Sequence, residues 1–304
     1  MAGMKDGGTD TRRGGLAALA FMLALGTLAG GARAEGTLDK IKRRGQINLG
    51  YRVDAAPFSY VDARKNAVGY SVDMCGEVVA RLREQMGSAP LQVKLVPVDI
   101  DRAVRFVSQG SIDLLCSSTS DTTERRGQLA FSKPIFFDGV GIMVRQKDGI
   151  GALEALQGKD MVAINTSTAV QSLERFNRER AMQWKIAPAL NADAAFSALQ
   201  LGWAAGYARD AVPLALQRAG LPNAQDYVLL PAHLSVETIA IAMPRGDEAL
   251  REFVDETLAE AAASGKAEAT YAKWFTQPIA YGGRKMTLAI PMSAELRTAF
   301  AAAR

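Results

Sequence analysis

The sequence predicts an α/β protein of two similar lobes, each a mainly parallel sheet flanked by helices. Three observations support this fold class. Strand-like and helix-like segments alternate through the first half of the chain. The same alternation repeats after residue 138. The length of 304 residues is sufficient for two such lobes. Strands separated by helices favour parallel sheets, because the helix carries the chain back across the sheet face.

The first half shows a distinct signal for each element. A short helix is predicted at residues 37–44, ending at Gly45, and residues 46–51 alternate in the manner of a strand. A loop bent at Pro57 follows. The further elements are a helix at 71–85, a strand at 91–96, a helix at 101–109 and a strand at 112–116.

The second half repeats this alternation. Its predicted strands are at 140–144, 161–164, 205–209, 227–230 and 238–243. Its predicted helices are at 153–158, 169–178, 192–202, 211–219, 247–264 and 271–275, with a Ser293-capped helix in the tail. The segments near residues 132–138 and 232–240 are the predicted crossings between the lobes.

The first 34 residues have the features of a secretory signal peptide. Basic residues at Lys5, Arg12 and Arg13 precede an apolar run at 16–28, and Ala32-Arg33-Ala34 follows as a small-residue cleavage site. We therefore expect cleavage after Ala34 and a periplasmic destination. The apolar run is short for a membrane span.

The charge balance gives no support for nucleic-acid binding. Residues 1–34 hold four basic and two acidic residues, so their removal lowers the formal charge from +4 to +2. The sequence also lacks metal-ligand spacing and a phosphate-binding loop, so we expect no cofactor and no metal.

Two cysteines, Cys75 and Cys116, remain in the predicted mature chain. In an oxidising compartment a single disulfide is the natural hypothesis. Two buried free thiols are the alternative that the sequence leaves open.

Residues 113–134 are the stretch with the clearest binding chemistry. A short apolar strand ends in small hydroxyl residues, and these lead to Glu124-Arg125-Arg126. Hydroxyls, backbone N–H groups and a planar guanidinium are complementary to a carboxylate. The alternative is a polar loop with a solvated pair of arginines.

The same stretch resembles the ligand loop of bacterial extracellular solute-binding proteins for polar amino acids. The residues that match its pattern are Ser118, Ser120, Thr122, Arg125, Phe131 and Ser132. The resemblance implies a two-lobed, type II periplasmic-binding-protein fold with the ligand cleft between the lobes. It also implies a discontinuous lobe I (35–135 and 241–304) around lobe II (138–238).

The resemblance also implies a ligand set. Arg125 would bind the ligand α-carboxylate, with Ser118 and Ser120 beside it. The turn Thr166-Ser167-Thr168 would meet the same carboxylate from lobe II, although relatives have Gly at the first position. Asp210 would bind the α-ammonium. Simple helix capping is the alternative for the turn and for Asp210.

Two residues of the first loop complete this set. By resemblance, Phe58 covers the ligand, with a place in the hydrophobic core as the alternative. Arg52 lies where relatives that bind glutamate and aspartate also have Arg. A buried guanidinium there would favour an acidic side chain and disfavour a basic one. The alternative is a surface Arg on a loop.

The glutamate- and aspartate-binding relatives match nearly the whole predicted mature chain, but three positions depart from their pattern. Ile100 and Ala103 replace a Ser and an Arg that assist the side-chain carboxylate in those relatives, and Ala192 replaces a His. Arg102 and Arg105 are nearby candidates to substitute. Glutamate, aspartate, an amide or another carboxylic ligand therefore remain open.

We expect a monomeric, non-enzymatic receptor that delivers an amino acid to a membrane ABC permease. The alternatives are a dehydratase-like periplasmic enzyme on the same scaffold and a ligand-binding partner of a sensory receptor. Acid–base chemistry would need a positioned group. His233 lies off the binding motifs, so Glu237 and Glu124 are the candidates for that role.

Overall fold

The computed structural model describes residues 35–302. The predicted signal peptide, residues 1–34, lies outside the described residues, so its cleavage stays a prediction. Within the described part of the chain, no helix combines the length and apolar character that crossing a membrane requires.

Helices and strands alternate along the described chain, as the periodicity predicts. The helices are α1 Thr37–Arg44, α2 Tyr70–Met86, α3 Ile100–Ser108, α4 Thr123–Arg126, α5 Thr168–Arg180, α6 Ala192–Leu201, α7 Ala211–Gly220, α8 Glu248–Ala263, α9 Lys266–Phe275 and α10 Ala294–Ala301. Short 3-10 helices lie at Gln146–Asp148, Leu153–Leu156 and Ala224–Asp226.

The strands are mostly short. They are β1 Gln46–Arg52, β2 Asp54–Ala55, β3 Ser59–Val61, β4 Ala67–Val68, β5 Gln92–Val98, β6 Leu114–Leu115, β7 Leu129–Phe131, β8 Phe136–Asp138 and β9 Val140–Arg145. They continue with β10 Asp160–Ile164, β11 Lys185–Ala189, β12 Gly206–Asp210, β13 Tyr227–Leu229, β14 Glu237–Ile239, β15 Ala242–Pro244, β16 Ile279–Tyr281 and β17 Arg284–Met286. The sequence did not predict the short strands β2, β3, β4, β7, β8, β11, β16 and β17.

Two five-stranded sheets form the centres of the two lobes. Their strand orders are β5-β1-β6-β15-β7 in lobe I and β11-β10-β12-β9-β13 in lobe II. In each sheet four strands run in one direction and one strand, β15 or β9, runs against its two neighbours. The prediction of two similar, mainly parallel α/β lobes is therefore confirmed.

The two lobes are joined by a pair of antiparallel strands. β8 pairs with β14, with Asp138 opposite Glu237. After β8 the chain enters the lobe II sheet, and after β14 it returns to the lobe I sheet. The single strand predicted at residues 238–243 is therefore two strands, because its first part belongs to the crossing and its second part to lobe I. The residue boundaries of the lobes stay a prediction.

The lobe I core is rich in aromatic side chains and contains a disulfide. Tyr70, Phe136 and Phe275 are almost fully buried and contact one another at ring distances of 4.7–6.2 Å. Cys75 on α2 is bonded to Cys116 at the end of β6, with their Cα atoms 6.1 Å apart. The predicted disulfide is confirmed, and the alternative of two free thiols is wrong.

The C-terminal helices pack on lobe I. Leu296 and Phe300 of α10 belong to its hydrophobic core. The hydroxyl of Ser293 accepts a hydrogen bond from the Leu296 N–H at 3.1 Å, which confirms the predicted helix cap. The tail and β15 thus both belong to lobe I, the lobe that also contains β1.

Candidate functional site

A small cavity lies between the two lobes, at the carboxyl ends of their central strands, where α/β sheets bind ligands. Its volume is about 20 Å³, roughly the room that one water molecule needs. It is lined by Arg52, Ile100, Ser118, Ser120, Arg125, Ile164, Ser167, Thr168, Ala169, Ala208, Arg209 and Asp210. Seven of the nine predicted ligand residues thus meet at one place.

Arg125 is held in place by its own loop. The hydroxyl of Thr122 caps α4 by accepting from the Arg125 N–H at 3.2 Å. The Arg125 guanidinium donates from Nη1 to the main-chain oxygen of Ser120 at 3.0 Å. Burial lowers the pKa of Arg125, while the carboxylates of Asp210 and Glu237 oppose that effect. The side chain is thus a fixed, partly desolvated cation facing acidic groups.

The serines of the same loop differ in their partners. The Ser118 hydroxyl is buried and has no hydrogen-bond partner among the described residues. The Ser120 hydroxyl donates to the Glu237 carboxylate. Because a buried polar atom without a partner costs free energy, the Ser118 hydroxyl is an available group for a polar ligand atom.

The turn before α5 contributes two of its three predicted residues to the cavity. Thr168 donates from its hydroxyl to Glu237 Oε2 at 2.8 Å, and Ser167 donates to the Ile164 main-chain oxygen at 2.5 Å. Ser167 occupies the N-cap position but makes no capping hydrogen bond, so the alternative of simple capping is wrong for it.

Thr166, the remaining residue of this turn, does not line the cavity. It is exposed, and its hydroxyl donates to Asp101 in lobe I. Its φ of +56° lies in the left-handed region that favours glycine. This backbone geometry explains why the resembling pattern has Gly at this position.

Asp210 ends β12 and stands at the N-terminus of α7 without capping it by a side-chain hydrogen bond. Burial raises the pKa of Asp210, and Glu237 adds to that effect. Three guanidiniums, those of Arg209, Arg52 and Arg125, act in the opposite direction. The helix-capping alternative is therefore wrong, and the carboxylate belongs to the cavity.

Arg209 is a cavity residue that the sequence did not predict. It is only 6% exposed, and its Nη2 donates across the interlobe space to the Asp54 main-chain oxygen at 2.6 Å. Its Nη1 donates to Gln217 Oε1 on α7 at 3.3 Å. The only signal in the sequence was its position directly before Asp210.

Arg52 lies where the small cavity opens into a larger groove. It is 7% exposed, so the alternative of a surface residue is wrong. Its Nε and Nη2 pair with Asp54 Oδ1 at 3.0 and 2.8 Å. The groove has a volume of about 540 Å³ and shares Arg52, Ile100 and Ile164 with the small cavity.

Two of the three departing positions face this groove. Ile100 and Ala192 line it, whereas Ala103 is buried in a hydrophobic cluster of lobe I and does not line the groove. Arg102 lines the groove but is exposed and paired with Asp99 at 2.7 Å. Arg105 is exposed, with its guanidinium over the Phe106 ring. Neither arginine reaches the small cavity.

Phe58 corrects one prediction. Its ring is fully buried in the lobe I core, 5.0 Å from Phe136 and 5.7 Å from Phe275, and it does not line the cavity. A large apolar ring gains more from this burial than from covering a polar site. Phe58 is therefore a residue of the hydrophobic core, and it is not a ligand residue.

The two candidates for acid–base chemistry, Glu237 and Glu124, and the histidine set aside for that role have different surroundings. Glu237 lies at the crossing and accepts hydrogen bonds from Ser120, Thr168 and Ser235. Glu124 is exposed and accepts from Gln171 Nε2 of lobe II at 2.6 Å. His233 is exposed and lies outside the cavity lining.

The chemistry of the cavity is that of binding charged groups. It presents cationic donors and one carboxylate from both lobes, and within residues 35–302 no cluster of His, Cys, Asp or Glu could hold a metal. Two lobes joined by paired crossing strands, with such a cavity between them, define a bilobal solute-binding protein.

Residues 47–277 match the bacterial extracellular solute-binding proteins, family 3. The chain belongs to this family. A glutamate/aspartate import solute-binding protein of Salmonella typhimurium is 31% identical over 288 residues, covering 92% of this chain and 95% of the relative.

Solved structures agree on the fold. A mutant of ArgBP from T. maritima has a TM-score of 0.69 at 29% identity, covering 78% of this chain and 98% of that protein. An ancestral amino acid-binding protein, described as a precursor of cyclohexadienyl dehydratase, has a TM-score of 0.68 at 25% identity, covering 79% and 100%.

Proposed function

We propose that this protein is the periplasmic substrate-binding component of an amino acid ABC transporter. Its ligand would be an acidic or polar amino acid of the glutamate and aspartate kind. One observation carries the proposal: Arg125 from lobe I and Asp210 from lobe II line the same cavity with opposite charges. An α-amino acid has one carboxylate and one ammonium to satisfy both.

The head group of the ligand accounts for the polar lining. Its carboxylate accepts from the Arg125 guanidinium, which offers a planar fork, and from the free hydroxyl of Ser118. The hydroxyls of Ser120 and Thr168 flank this position. The ammonium donates to the Asp210 carboxylate, which restores the ionised form that burial disfavours.

The part of the cavity that would face the ligand side chain favours an acidic ligand over a basic one. Arg52 and Arg209 both line the cavity, so a cationic side chain would face two guanidiniums. The names of the relatives are divided on this point, since the Salmonella protein is named for glutamate and aspartate and the T. maritima protein is an ArgBP. The positive charges of Arg52 and Arg209 in the cavity support an acidic ligand, as in the name of the Salmonella protein.

Ligand binding would be coupled to closure of the lobes. Groups of lobe II already contact lobe I directly, as Arg209 does at Asp54 and Gln171 at Glu124. A ligand held by both walls favours a closed arrangement over an open one, which is a shift in population. With the ligand in place the walls stand farther apart than here, because a cavity of about 20 Å³ has room for only one water molecule. The closed, monomeric receptor would then deliver the amino acid to a membrane permease.

Isothermal titration calorimetry of the purified protein tests the proposal. The panel contains glutamate, aspartate, glutamine, asparagine and arginine. We expect saturable binding of at least one acidic or amide ligand and weaker or no binding of arginine. Binding of none of them, or of arginine alone, would contradict the proposal.

An enzymatic role is the second candidate. It is favoured by one observation, the raised pKa of buried Asp210 beside Glu237, since such carboxyls occur at acid–base sites. The similarity to a dehydratase precursor points the same way. Turnover of prephenate or arogenate by the purified protein would support this role, and binding without turnover supports the receptor.

A further inference from the structure

The cavity contains more positive charge than an amino acid head group can use. Three guanidiniums, those of Arg52, Arg125 and Arg209, line it with one carboxylate, Asp210. In the proposed function the ligand carboxylate takes Arg125 and the ligand ammonium takes Asp210. Two guanidiniums therefore remain at the side-chain end, and their partners within the protein differ.

Arg52 already has an acidic partner. Its Nε and Nη2 both contact the Asp54 carboxylate, at 3.0 and 2.8 Å. This carboxylate occupies two of the N–H donors of the guanidinium and offsets part of its charge. Arg52 is thus less able to bind a second anionic group strongly.

Arg209 has only neutral hydrogen-bond partners. It donates to the Asp54 main-chain oxygen at 2.6 Å and to the Gln217 side-chain amide at 3.3 Å. Within the described residues no carboxylate forms an ion pair with it, although Asp54 and Asp210 are near enough to stabilise its charge. A guanidinium has five N–H donors, so these two bonds leave donors for a ligand.

Burial makes this charge effective. Arg209 is 6% exposed, and a cation in such surroundings interacts more strongly with an anion than one in water does. The other candidates, Arg102 and Arg105, are exposed and lie outside the small cavity. Salt and water screen charges in such positions.

We propose that Arg209 binds the side-chain carboxylate of the ligand and so sets the preference for acidic amino acids over their amides. The inference rests on the proposed function and deepens it. It explains how an acidic side chain is held although Ile100, Ala103 and Ala192 offer no polar group.

The test compares an acid with its isosteric amide. Dissociation constants for glutamate, glutamine, aspartate and asparagine are measured by calorimetry for the native protein and for Arg209→Met. The native protein is expected to prefer each acid to its amide. In Arg209→Met the affinity for the acids should fall about 100-fold, and that for the amides about 3-fold or less.

The ratio separates a specificity role from a structural one. Arg209 also bridges the lobes through Asp54, and loss of that bridge alone would weaken acids and amides equally. Arg209→Lys keeps the charge and should restore part of the preference for acids. If Arg209→Met does not fold, Arg209→Gln is measured instead, with thermal unfolding as the check on folding.

Two exposed arginines serve as matched controls. Arg105→Met should leave all four constants unchanged, and Arg102→Met should change the acid-to-amide ratio by less than about 3-fold. The inference is overturned if Arg102→Met removes the preference, if Arg209→Met leaves the ratio intact, or if the native protein prefers amides. If none of the four ligands binds the native protein, the proposed function itself is contradicted.

Discussion

The two walls of the cavity are stabilised in different ways. On the lobe I wall the key contacts are internal, because Arg125 is fixed by Ser120 and Thr122, and Arg52 by Asp54. On the lobe II wall they reach across the cleft, from Arg209 to lobe I and from Thr168 to the crossing residue Glu237.

This difference indicates that the two walls have different roles in ligand binding. Because these contacts lie within lobe I, we expect the lobe I wall to keep its geometry when the lobes are apart, so that a ligand can bind to it first. The lobe II wall makes all of these contacts only when the lobes meet, so its contacts depend on closure. Preorganised contacts lower the cost of ordering on binding.

The largest expected effect is loss of the central cation of the lobe I wall. Arg125→Met should lower affinity for glutamate by about 1,000-fold, equivalent to about 4 kcal/mol, since it leaves the ligand carboxylate buried without its charged partner. Calorimetry measures the change. Arg126→Met is the matched control, because Arg126 is exposed and pairs with Asp121 at 2.6 Å. Equal losses in both variants would contradict the assignment.

The disulfide is the next test of the lobe I wall. It closes a separation of 41 residues directly before Ser117 and Ser118. The chain-entropy relation gives a loss of up to about 4 kcal/mol in unfolding free energy for Cys75→Ser with Cys116→Ser. Urea unfolding monitored by circular dichroism measures it. Unchanged stability in the double variant would show that the wall does not depend on the bond.

The lobe II carboxylate should give a pH signature. The raised folded-state pKa of Asp210 means that the folded chain retains this proton above the ordinary value of 3.8. Glutamate affinity should therefore fall on acidification at a higher pH than an ordinary Asp would give. Calorimetry between about pH 4 and 8 should show this fall in the native protein, and Asp210→Asn should bind about 100-fold more weakly without it.

Stability should change in the opposite sense. Since the folded-state pKa of Asp210 is raised, its ionisation costs stability as pH rises from 3.8 through the folded value. Asp210→Asn should therefore unfold at a higher temperature than the native protein at neutral pH, and the difference should vanish below 3.8. A lower unfolding temperature at neutral pH would contradict this account.

The smallest effects concern the contacts between the walls. Glu237→Gln keeps the shape of a group that bridges Ser120 and Thr168 but removes its charge. We expect about a 10-fold loss of glutamate affinity, because charge-assisted hydrogen bonds across the cleft become neutral ones.

Glu124→Gln is the matched control for this contact. Glu124 also joins the lobes, through Gln171, but it is exposed, and exposed pairs contribute little. We expect a change below about 2-fold. A larger loss in this variant than in Glu237→Gln would show that the peripheral contact governs closure.

Local patterns predicted much of the fold and of the lobe I wall. The alternation of strands and helices predicted both sheets apart from β7 and β11, and the stretch leading to Arg125 carries its hydroxyls and guanidinium within a few residues. Such features depend on near neighbours in the chain. The sequence therefore sufficed to identify them.

Phe58 and Arg209 required the tertiary structure. The Pro57 loop turns Phe58 into the aromatic core, a choice that depends on Phe136 and Phe275 far along the chain. Strand alternation would direct Arg209 and its neighbour Asp210 to opposite faces. Both line the cavity because Asp210 is the last residue of β12, where the chain turns into α7.

The sequence by itself thus predicted the class of fold from its periodicity and offered Cys75 and Cys116 as disulfide partners, while the resemblance of residues 113–134 to a known ligand loop predicted one wall of the cavity. Which charges are already paired, and which remain available to a ligand, was decided by the tertiary structure. The reason is physical: Arg52 pairs with Asp54 inside lobe I, whereas Arg209 lies far from Asp54 in the chain and contacts it only where the two lobes meet.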